Sequence, residues 1–404
     1  MLDRPITFDL VLPSLALEAG ARLESHLARV FVWERGAEPT LAEARPTVVR
    51  RSREAMAAIQ SWDGALDPEV PTIVVVHALT GEAQCAGPGG FWEPVIGPGK
   101  ALDTRRYRVV CVNLLGSCYG SSGPCDEGFP RRTEERAIEV DLSRSKGVRA
   151  VPEHAMPATV TTWDQARAIL LALDRLGLRR VALATGGSLG GMVTLCLGAL
   201  APERFERLAP IAATDAASAW LVAFNQVGRA AILSDPGFPH DVGRGLELAR
   251  QLAMVTYRAE PGLELAQGRE QVGVTRWSPR APYRMATYLE HHGRKLRARF
   301  DALAYLTLTG AMDHHDLGRD PNGEGDSDGW GHRRIRASVL AADIDTDQLF
   351  TPAATERYAA ALRANGVHVE RQTIASPHGH DAFLFEWGAL ARVLTTALEL
   401  PAFG

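Results

Sequence analysis

One serine in this 404-residue chain is flanked by glycines in a pattern that can do chemistry. The stretch is Gly-Gly-Ser188-Leu-Gly-Gly, with glycines two places before and two places after the serine. Glycines there permit the sharp, strained turn that projects a serine hydroxyl above the edge of a sheet. The apolar run of residues 181–185 precedes the turn, and a helical pattern over residues 192–200 follows it. The pattern therefore predicts Ser188 as the nucleophile of an acyl-transfer reaction.

The same stretch argues against two other glycine-rich motifs. A dinucleotide-binding loop requires glycine at position 188, and a phosphate-binding loop requires lysine where Met192 stands. A turn without chemistry remains the alternative, although the strand before it and the helix after it favour a nucleophile.

A serine nucleophile needs a base and a carboxylate that orients the base, and both should follow it along the chain. Three aspartates lie between residues 343 and 347, after a strand predicted over 338–342, and His378 and His380 follow a strand predicted over 367–374. Both clusters stand at carboxyl ends of strands, where open α/β sheets build their sites. His380 is favoured as the base because it lies beside a loop glycine and just before the final helix.

The tetrahedral intermediate of acyl transfer needs two backbone N–H groups that bind its oxyanion. The first is predicted at Leu189, directly after the nucleophile. The second is predicted at Leu79, in the loop after the strand of residues 72–76.

These residues must be positioned by a sheet. Apolar and β-branched runs predict strands at 72–79, 107–114, 180–185 and 208–212, with a helix at 163–176 behind Thr161 or Thr162 as N-cap. Residues 216–320 contain helical stretches and no convincing strand, before strands return at 335–342 and 367–374 and a last helix runs over 382–398. This order predicts an α/β fold, a mostly parallel central sheet flanked by helices, with a helical insertion.

The sequence gives little support for a metal site. Residues 318–331 match the start of a calcium loop, but position twelve is Gly331 rather than glutamate, so a solvated linker is favoured. The histidine pairs 291–292 and 314–315 are adjacent rather than four apart, which is weak for zinc. Five cysteines without a C-x-x-C pair are expected to be reduced and structural. We therefore expect no bound metal.

Composition excludes several classes of partner. The formal net charge is −4, so no global positive field would hold nucleic acid. The longest apolar runs fall below the roughly 18 residues that span a bilayer, and the first residues do not look like a signal peptide. We expect a cytoplasmic protein without membrane contact.

Many stretches, in order from about residue 71 to the end, closely resemble one family: the homoserine O-acetyltransferases of the α/β-hydrolase superfamily, the MetX type. The matching positions are 77–81, 92 with 96–104, 112–116 with 119–120, 186–192, 224–232 with 235–236, 288 with 299–301, 305–306 with 311–313, 346–350 and 376–386.

The resemblance implies an α/β-hydrolase core over residues 1–215 and 331–404, with a helical lid inserted at 216–330. It implies that Ser188 takes an acetyl group from acetyl-CoA and passes it to the hydroxyl of L-homoserine, a step of methionine biosynthesis. His380 would be the base, and Asp347 is preferred to Asp345 as its partner because it aligns with the family's carboxylate before Gln-Leu-Phe.

The resemblance also assigns the acceptor. Arg229 would bind the homoserine carboxylate and Asp381 its amino group, a pairing that suits a zwitterion. The alternatives are a surface helix residue for Arg229 and the N-cap of the last helix for Asp381. The resemblance further implies small-molecule substrates, no permanently bound cofactor, and a homodimer formed by the lid helices.

Several departures from the family pattern leave the substrates open. Trp163 stands where the family usually has arginine, Val193 where it has glutamine, and there is additional sequence at 34–70 and 131–156. Relatives use succinyl-CoA, serine or deacetylcephalosporin C, and an esterase on the same triad is a further alternative. The charge-poor residues beside Ser188 favour an acetyl donor over a succinyl donor, which should want an additional cation.

Overall fold

The structure is a computed structural model that describes residues 5–34, 47–132, 156–272, 283–323 and 328–403. Most of the additional sequence at 131–156, part of that at 34–70, and part of the calcium-like loop at 318–331 lie outside the described residues.

Ten strands lie within the described residues, and eight of them form one sheet. They are β1 (Ile6–Leu12), β2 (Leu15–Ala16), β3 (Arg22–Leu23), β4 (His26–Trp33), β5 (Thr72–Val76), β6 (Arg108–Val112), β7 (Leu183–Gly187), β8 (Arg207–Ile211), β9 (Ser338–Ile344) and β10 (Val369–Ile374). The order across the sheet is β1-β4-β6-β5-β7-β8-β9-β10, and β2 and β3 form a separate hairpin.

The sheet is mostly parallel, as predicted. The six strands from β6 to β10 in that order run parallel, and β1 and β4 close one edge as an antiparallel pair. Every residue of β5, β6 and β7 is buried, because helices cover both faces of a parallel sheet and β-branched side chains fill the space. Parallel pairing brings the carboxyl ends of β5, β7, β9 and β10 to one edge.

Eleven α-helices are described. They are α1 (Arg53–Ala57), α2 (Thr162–Arg175), α3 (Leu189–Leu200), α4 (Ala219–Leu233), α5 (Arg244–Thr256), α6 (Glu260–Ala266), α7 (Arg284–Arg297), α8 (Ala302–Asp313), α9 (Trp330–Arg334), α10 (Pro352–Ala364) and α11 (Trp387–Glu399). A 3-10 helix, Gly379–Leu384, precedes α11. None of the helices in the described part of the chain is long and apolar enough to cross a membrane.

The helices from α4 to α9 all lie between β8 and β9 along the chain. A buried histidine ties the end of this helical segment to the core. His315 donates from Nε2 to the Thr214 carbonyl and accepts at Nδ1 from the Thr162 hydroxyl, both at 2.9 Å. Burial lowers the pKa of His315 to about 4, so the ring is neutral and serves as a structural link.

Trp163, which stands at a usual arginine position of the family, belongs to the same junction. Its side chain is fully buried on α2, its indole N–H donates to the Asp316 carbonyl at 3.3 Å, and its ring meets Trp330 edge-on at 5.6 Å. An aromatic pair therefore joins α2 to α9, and the tryptophan here is part of the core.

Candidate active site

Ser188 occupies a strained turn between β7 and α3. Its backbone has φ 59° and ψ −125°, a conformation that L residues rarely adopt, and its side chain is 5% exposed. The backbone is held in place because Ser188 N–H donates to the Ile211 carbonyl at 2.9 Å. The predicted strand–turn–helix context of the serine is thus present.

The glycines around Ser188 are required by close packing. A Cβ added at Gly190 would lie 2.2 Å from the Val76 carbonyl oxygen, and one at Gly186 would lie 2.6 Å from the same atom. A Cβ at Gly187 would lie 2.4 Å from the ring of Phe383. The turn can approach β5 and the 3-10 helix this closely only without side chains at these positions.

The structure pairs His380 with Asp347. The imidazole Nδ1 lies 2.7 Å from Oδ2 of Asp347, and Oδ1 of that carboxylate accepts from the N–H groups of Leu349 and Phe350. Asp345 instead accepts from the N–H of Ser376 at 3.0 Å. Of these two aspartates, Asp347 is therefore the one that orients the imidazole.

Aromatic rings enclose the imidazole of His380. Phe350, Tyr257 and Phe383 lie 5.0, 5.5 and 5.6 Å from it, centroid to centroid. This burial disfavours the protonated form, but the carboxylates of Asp347 and then Asp381 outweigh it, so the pKa of His380 is raised above its usual value. Nε2 is buried and has no hydrogen-bond partner among the described groups, which leaves it available to take a proton.

A cavity of about 160 Å³ brings the predicted groups together. Ser188, His380, Asp381 and Leu79 all line it, whereas Leu189, Asp347 and Arg229 do not. The remaining wall comes mainly from the helical segment and the 3-10 helix: Ala78, Thr80, Arg250, Met254, Tyr257, Arg258, His292, Phe383, Leu384 and Phe385.

The loop that carries Leu79 is held by a buried histidine. The ring Nδ1 of His77 donates to the Ala78 carbonyl at 2.9 Å, and its Nε2 accepts from the Leu114 N–H at 2.9 Å. Burial lowers the pKa of His77 to about 4, so the ring is neutral and its tautomer is set by these partners. The Ala78 carbonyl and the Leu79 N–H belong to one planar peptide group, so His77 fixes the direction of that N–H.

The sequence analysis did not predict two arginines that line the cavity, Arg250 and Arg258. Arg250, Met254, Tyr257 and Arg258 are spaced i, i+4, i+7 and i+8, a helical spacing that could have pointed to them, although α5 ends at Thr256 and Arg258 lies beyond it. Nε of Arg258 lies 3.5 Å from Oδ2 of Asp381. Arg250 forms no salt bridge among the described residues; its guanidinium lies 5.7 Å from the ring of Tyr257, and its charge acts on Asp381.

Asp381 lies deep in the cavity wall. Burial raises the pKa of its carboxyl, and Arg250, His380 and Arg258 oppose that rise. It does not cap the last helix, because α11 begins at Trp387 with Glu386 as its N-cap residue. Its carboxylate therefore lines the cavity wall with Arg258 as its ion-pair partner.

Arg229 lies apart from the cavity lining, on α4. Its Nη2 is 2.6 Å from Oδ2 of Asp313, with side chains 16% and 12% exposed, so it is not a surface residue. Its Nη1 is buried without a partner among the described groups. The structure thus brings Asp381 to the same cavity as Ser188 and leaves Arg229 on a neighbouring helix, with its Nη1 unpartnered among the described groups.

Comparisons with known sequences identify a family, and comparisons with solved structures show the same fold. A family model described as the alpha/beta hydrolase fold matches residues 71–386. The homoserine O-acetyltransferase of Moorella thermoacetica is 37% identical over 343 residues, 81% of this chain and 86% of that protein. The crystal structure of a homoserine O-acetyltransferase from Bacillus anthracis superposes with a TM-score of 0.77 at 17% identity, covering 99% of both chains. Esterase E22 superposes with a TM-score of 0.74 at 18% identity, covering 98% of this chain and all of that one.

Proposed function

This chain belongs to the homoserine O-acetyltransferases of the alpha/beta hydrolase fold, and we propose that it transfers an acetyl group from acetyl-CoA to the hydroxyl of L-homoserine. The product would feed methionine biosynthesis. The observation that carries the proposal is the cavity that Ser188 and His380 line together with Asp381.

The first half-reaction would acylate the serine. His380 Nε2 takes the proton from Ser188 Oγ as that oxygen attacks the thioester carbonyl, and the N–H groups of Leu79 and Leu189 bind the oxyanion. The C–S bond then breaks, and the leaving CoA sulfur takes the proton from His380. Asp347 keeps the imidazole in the tautomer with a free Nε2 and stabilises its protonated form.

The second half-reaction would deliver the acetyl group to the acceptor. His380 removes the proton from the homoserine hydroxyl, whose oxygen attacks the acyl carbon, and Ser188 leaves and regains the proton. Asp381 in the cavity wall would pair with the acceptor's ammonium group. Arg229 would bind the carboxylate through its unpartnered Nη1. Its side chain would have to turn toward the cavity to do so.

The helical segment, residues 216–330, would act as a lid over Ser188. It supplies Arg250, Met254 and His292 to the cavity wall, so it limits the access of water to the acyl-enzyme. The donor is a co-substrate, and we propose no permanently bound cofactor, a cytoplasmic location and a homodimer formed through the lid helices.

Two measurements test the proposal. Intact-mass spectrometry after mixing with acetyl-CoA should detect one acetyl group, and peptide mapping should place it on Ser188. CoA release should be fastest with acetyl-CoA plus homoserine in a panel that also contains succinyl-CoA and serine. Ser188→Ala should abolish both signals, and a Ser188→Ala variant that still released CoA would show that another residue is the nucleophile.

An esterase is the second candidate, because esterase E22 shares the fold almost as closely as the transferase does. Water would then replace homoserine in the second half-reaction. Consumption of acetyl-CoA at the same rate with and without an amino-alcohol acceptor would favour the esterase.

A further inference from the structure

The turn between α7 and α8 lies outside the cavity and contacts the oxyanion loop, residues 77–81 after β5, which carries Leu79. Arg299 lies in this turn and does not line the cavity, whereas Thr80, next to Leu79, does. The guanidinium Nη1 of Arg299 donates to the Thr80 carbonyl at 2.8 Å. One charged side chain of the helical segment thus holds the loop that presents the Leu79 N–H.

A buried tyrosine fixes this guanidinium. Arg299 Nη1 also donates to the hydroxyl of Tyr119 at 2.8 Å, and that hydroxyl donates back to the Arg299 carbonyl at 2.7 Å. Tyr119 is 4% exposed and meets the ring of Phe300 edge-on at 5.6 Å. The bonds to Thr80 and to Tyr119, together with the return bond from Tyr119 to the Arg299 carbonyl, leave the guanidinium little freedom to turn.

Asp301, two residues after Arg299, anchors the turn to both parts of the molecule. Asp301 caps α8 by accepting from the N–H groups of Leu303 and Ala304, and it pairs with Arg50 at 2.6 Å. The Arg299 side chain is therefore delivered to Thr80 from a rigid base.

The Leu79 peptide is held from two directions. His77 and the Gly81 N–H both donate to the Ala78 carbonyl at 2.9 Å, which fixes the peptide that contains the Leu79 N–H. Arg299 fixes the Thr80 carbonyl on the other side of Leu79. Without Arg299 the second restraint is lost, and an N–H donor displaced by a fraction of an ångström binds the oxyanion less well.

We propose that Arg299 is a positioning residue for acyl transfer, which holds the Leu79 N–H in register with Ser188 through the Thr80 carbonyl and Tyr119. This inference rests on the proposed acyl-serine chemistry and on Leu79 as an oxyanion donor. It couples the helical segment to the reacting centre, because the same segment forms the substrate-binding wall.

The test uses a reagent that reports on the oxyanion hole and needs no acceptor. A p-nitrophenyl alkylphosphonate reacts with the serine as Ser188 Oγ bonds to phosphorus, nitrophenolate leaves and His380 takes the proton. The rate of nitrophenolate release should fall about 10- to 100-fold in Arg299→Met, since removing a whole oxyanion donor costs about 100- to 1000-fold. Arg299→Lys, which can still reach one carbonyl, should recover part of the rate.

Controls separate positioning from a loss of folding. Arg334→Met removes a comparable arginine–carbonyl contact, Nε to Ala199 at 2.9 Å, far along α3 from Ser188, and should react like the wild type. In the acyl-transfer assay, kcat should fall in Arg299→Met while KM for acetyl-CoA stays within about threefold, because binding is not removed. If Arg299→Met does not fold, Tyr119→Phe should still slow phosphonylation several-fold.

The outcomes are distinguishable. Phosphonylation of folded Arg299→Met within twofold of the wild type would overturn the positioning role and leave the acyl-serine site intact. A wild-type protein that does not react with the phosphonate at all would overturn the acyl-serine site and this inference with it.

Discussion

The imidazole of His380 is subject to opposing influences that predict its pH dependence. Burial lowers its pKa, and the charge and hydrogen bond of Asp347 raise it to a value above that of a free imidazole. The base must be neutral to act, so kcat should rise with pH through this raised pKa. The acid limb of the pH profile should therefore lie above pH 6.5, the ordinary value of histidine.

Asp347→Asn should move this limb to lower pH, because it removes the carboxylate that favours the protonated imidazole and leaves the burial that opposes it. It should also lower kcat by about 1000- to 10000-fold, since the amide favours the wrong tautomer. Asp345→Asn is the matched control, because Asp345 holds the N–H of Ser376 and not the imidazole. An unchanged acid limb in Asp347→Asn would contradict the pairing as the source of the raised pKa.

Substitution of Arg229 tests whether this residue binds the carboxylate of homoserine. Arg229→Met should raise KM for homoserine about 10- to 100-fold, because a hydrogen bond between charged groups is worth about 1.5–3 kcal/mol. KM for acetyl-CoA should be unchanged. Arg250→Met is the comparison, since Arg250 lines the cavity and its charge acts on Asp381 without a salt bridge among the described residues. If the KM for homoserine rises only in Arg250→Met, Arg250 rather than Arg229 binds the homoserine carboxylate.

The sequence predicts site residues where a motif or a strand end marks them. Ser188 and His380 stand in such places, and the resemblance separates Asp347 from Asp345. Arg250 and Arg258 carry no motif, and Arg258 lies beyond the end of α5. Tertiary contacts bring them to the same cavity; one of these is the bond from the Asp381 N–H to the Tyr257 carbonyl at 3.1 Å. The sequence does not show which surface the end of α5 will meet.

The buried strands of the sheet could be predicted from the sequence, but the exact ends of several strands and helices could not. β7 was predicted over residues 180–185 and runs over Leu183–Gly187, because pairing with β5 and β8 carries it into the glycines. α3 begins at Leu189 rather than Met192, so packing overrides the low helix propensity of Gly190 and Gly191. α10 was missed, although its Thr351 N-cap and Pro352 at the first position are local signals.

The tight approach of α3 to β5 makes a prediction about stability. Gly190→Ala should destabilise the protein by about 3 kcal/mol or more, because its methyl group would overlap the Val76 carbonyl oxygen. Gly310→Ala is the control on α8: nothing lies within 4 Å of the added carbon, and this change should stabilise by up to about 1 kcal/mol. Urea unfolding followed by circular dichroism measures both, and equal stabilities would contradict the packing argument.

At the scale of the whole molecule, the division into an α/β core and a lid at residues 216–330 stays a prediction. The helices α4 to α9 do form a continuous block between β8 and β9. His315 and Trp163 tie the end of this block to α2 and the core, and Arg299 ties it to the oxyanion loop. Three separate contacts of this kind favour a lid that moves little as a body.

The outer face of α4 leaves large apolar side chains exposed to solvent. Trp220 is 53% and Val227 57% exposed, and Phe224 lies between them against the Trp220 ring. Their i, i+4, i+7 spacing makes one stripe, and an exposed apolar stripe on a helix is typical of an interface. We expect the proposed homodimer to bury this stripe. Val227→Glu should therefore convert the dimer to a monomer in sedimentation velocity, because it places a charge in an apolar contact. Val11→Glu makes the same change at a partly exposed position on the edge strand β1 and should leave the dimer intact. A wild-type monomer at micromolar concentration, or a dimer that survives Val227→Glu, would rule out α4 as the interface.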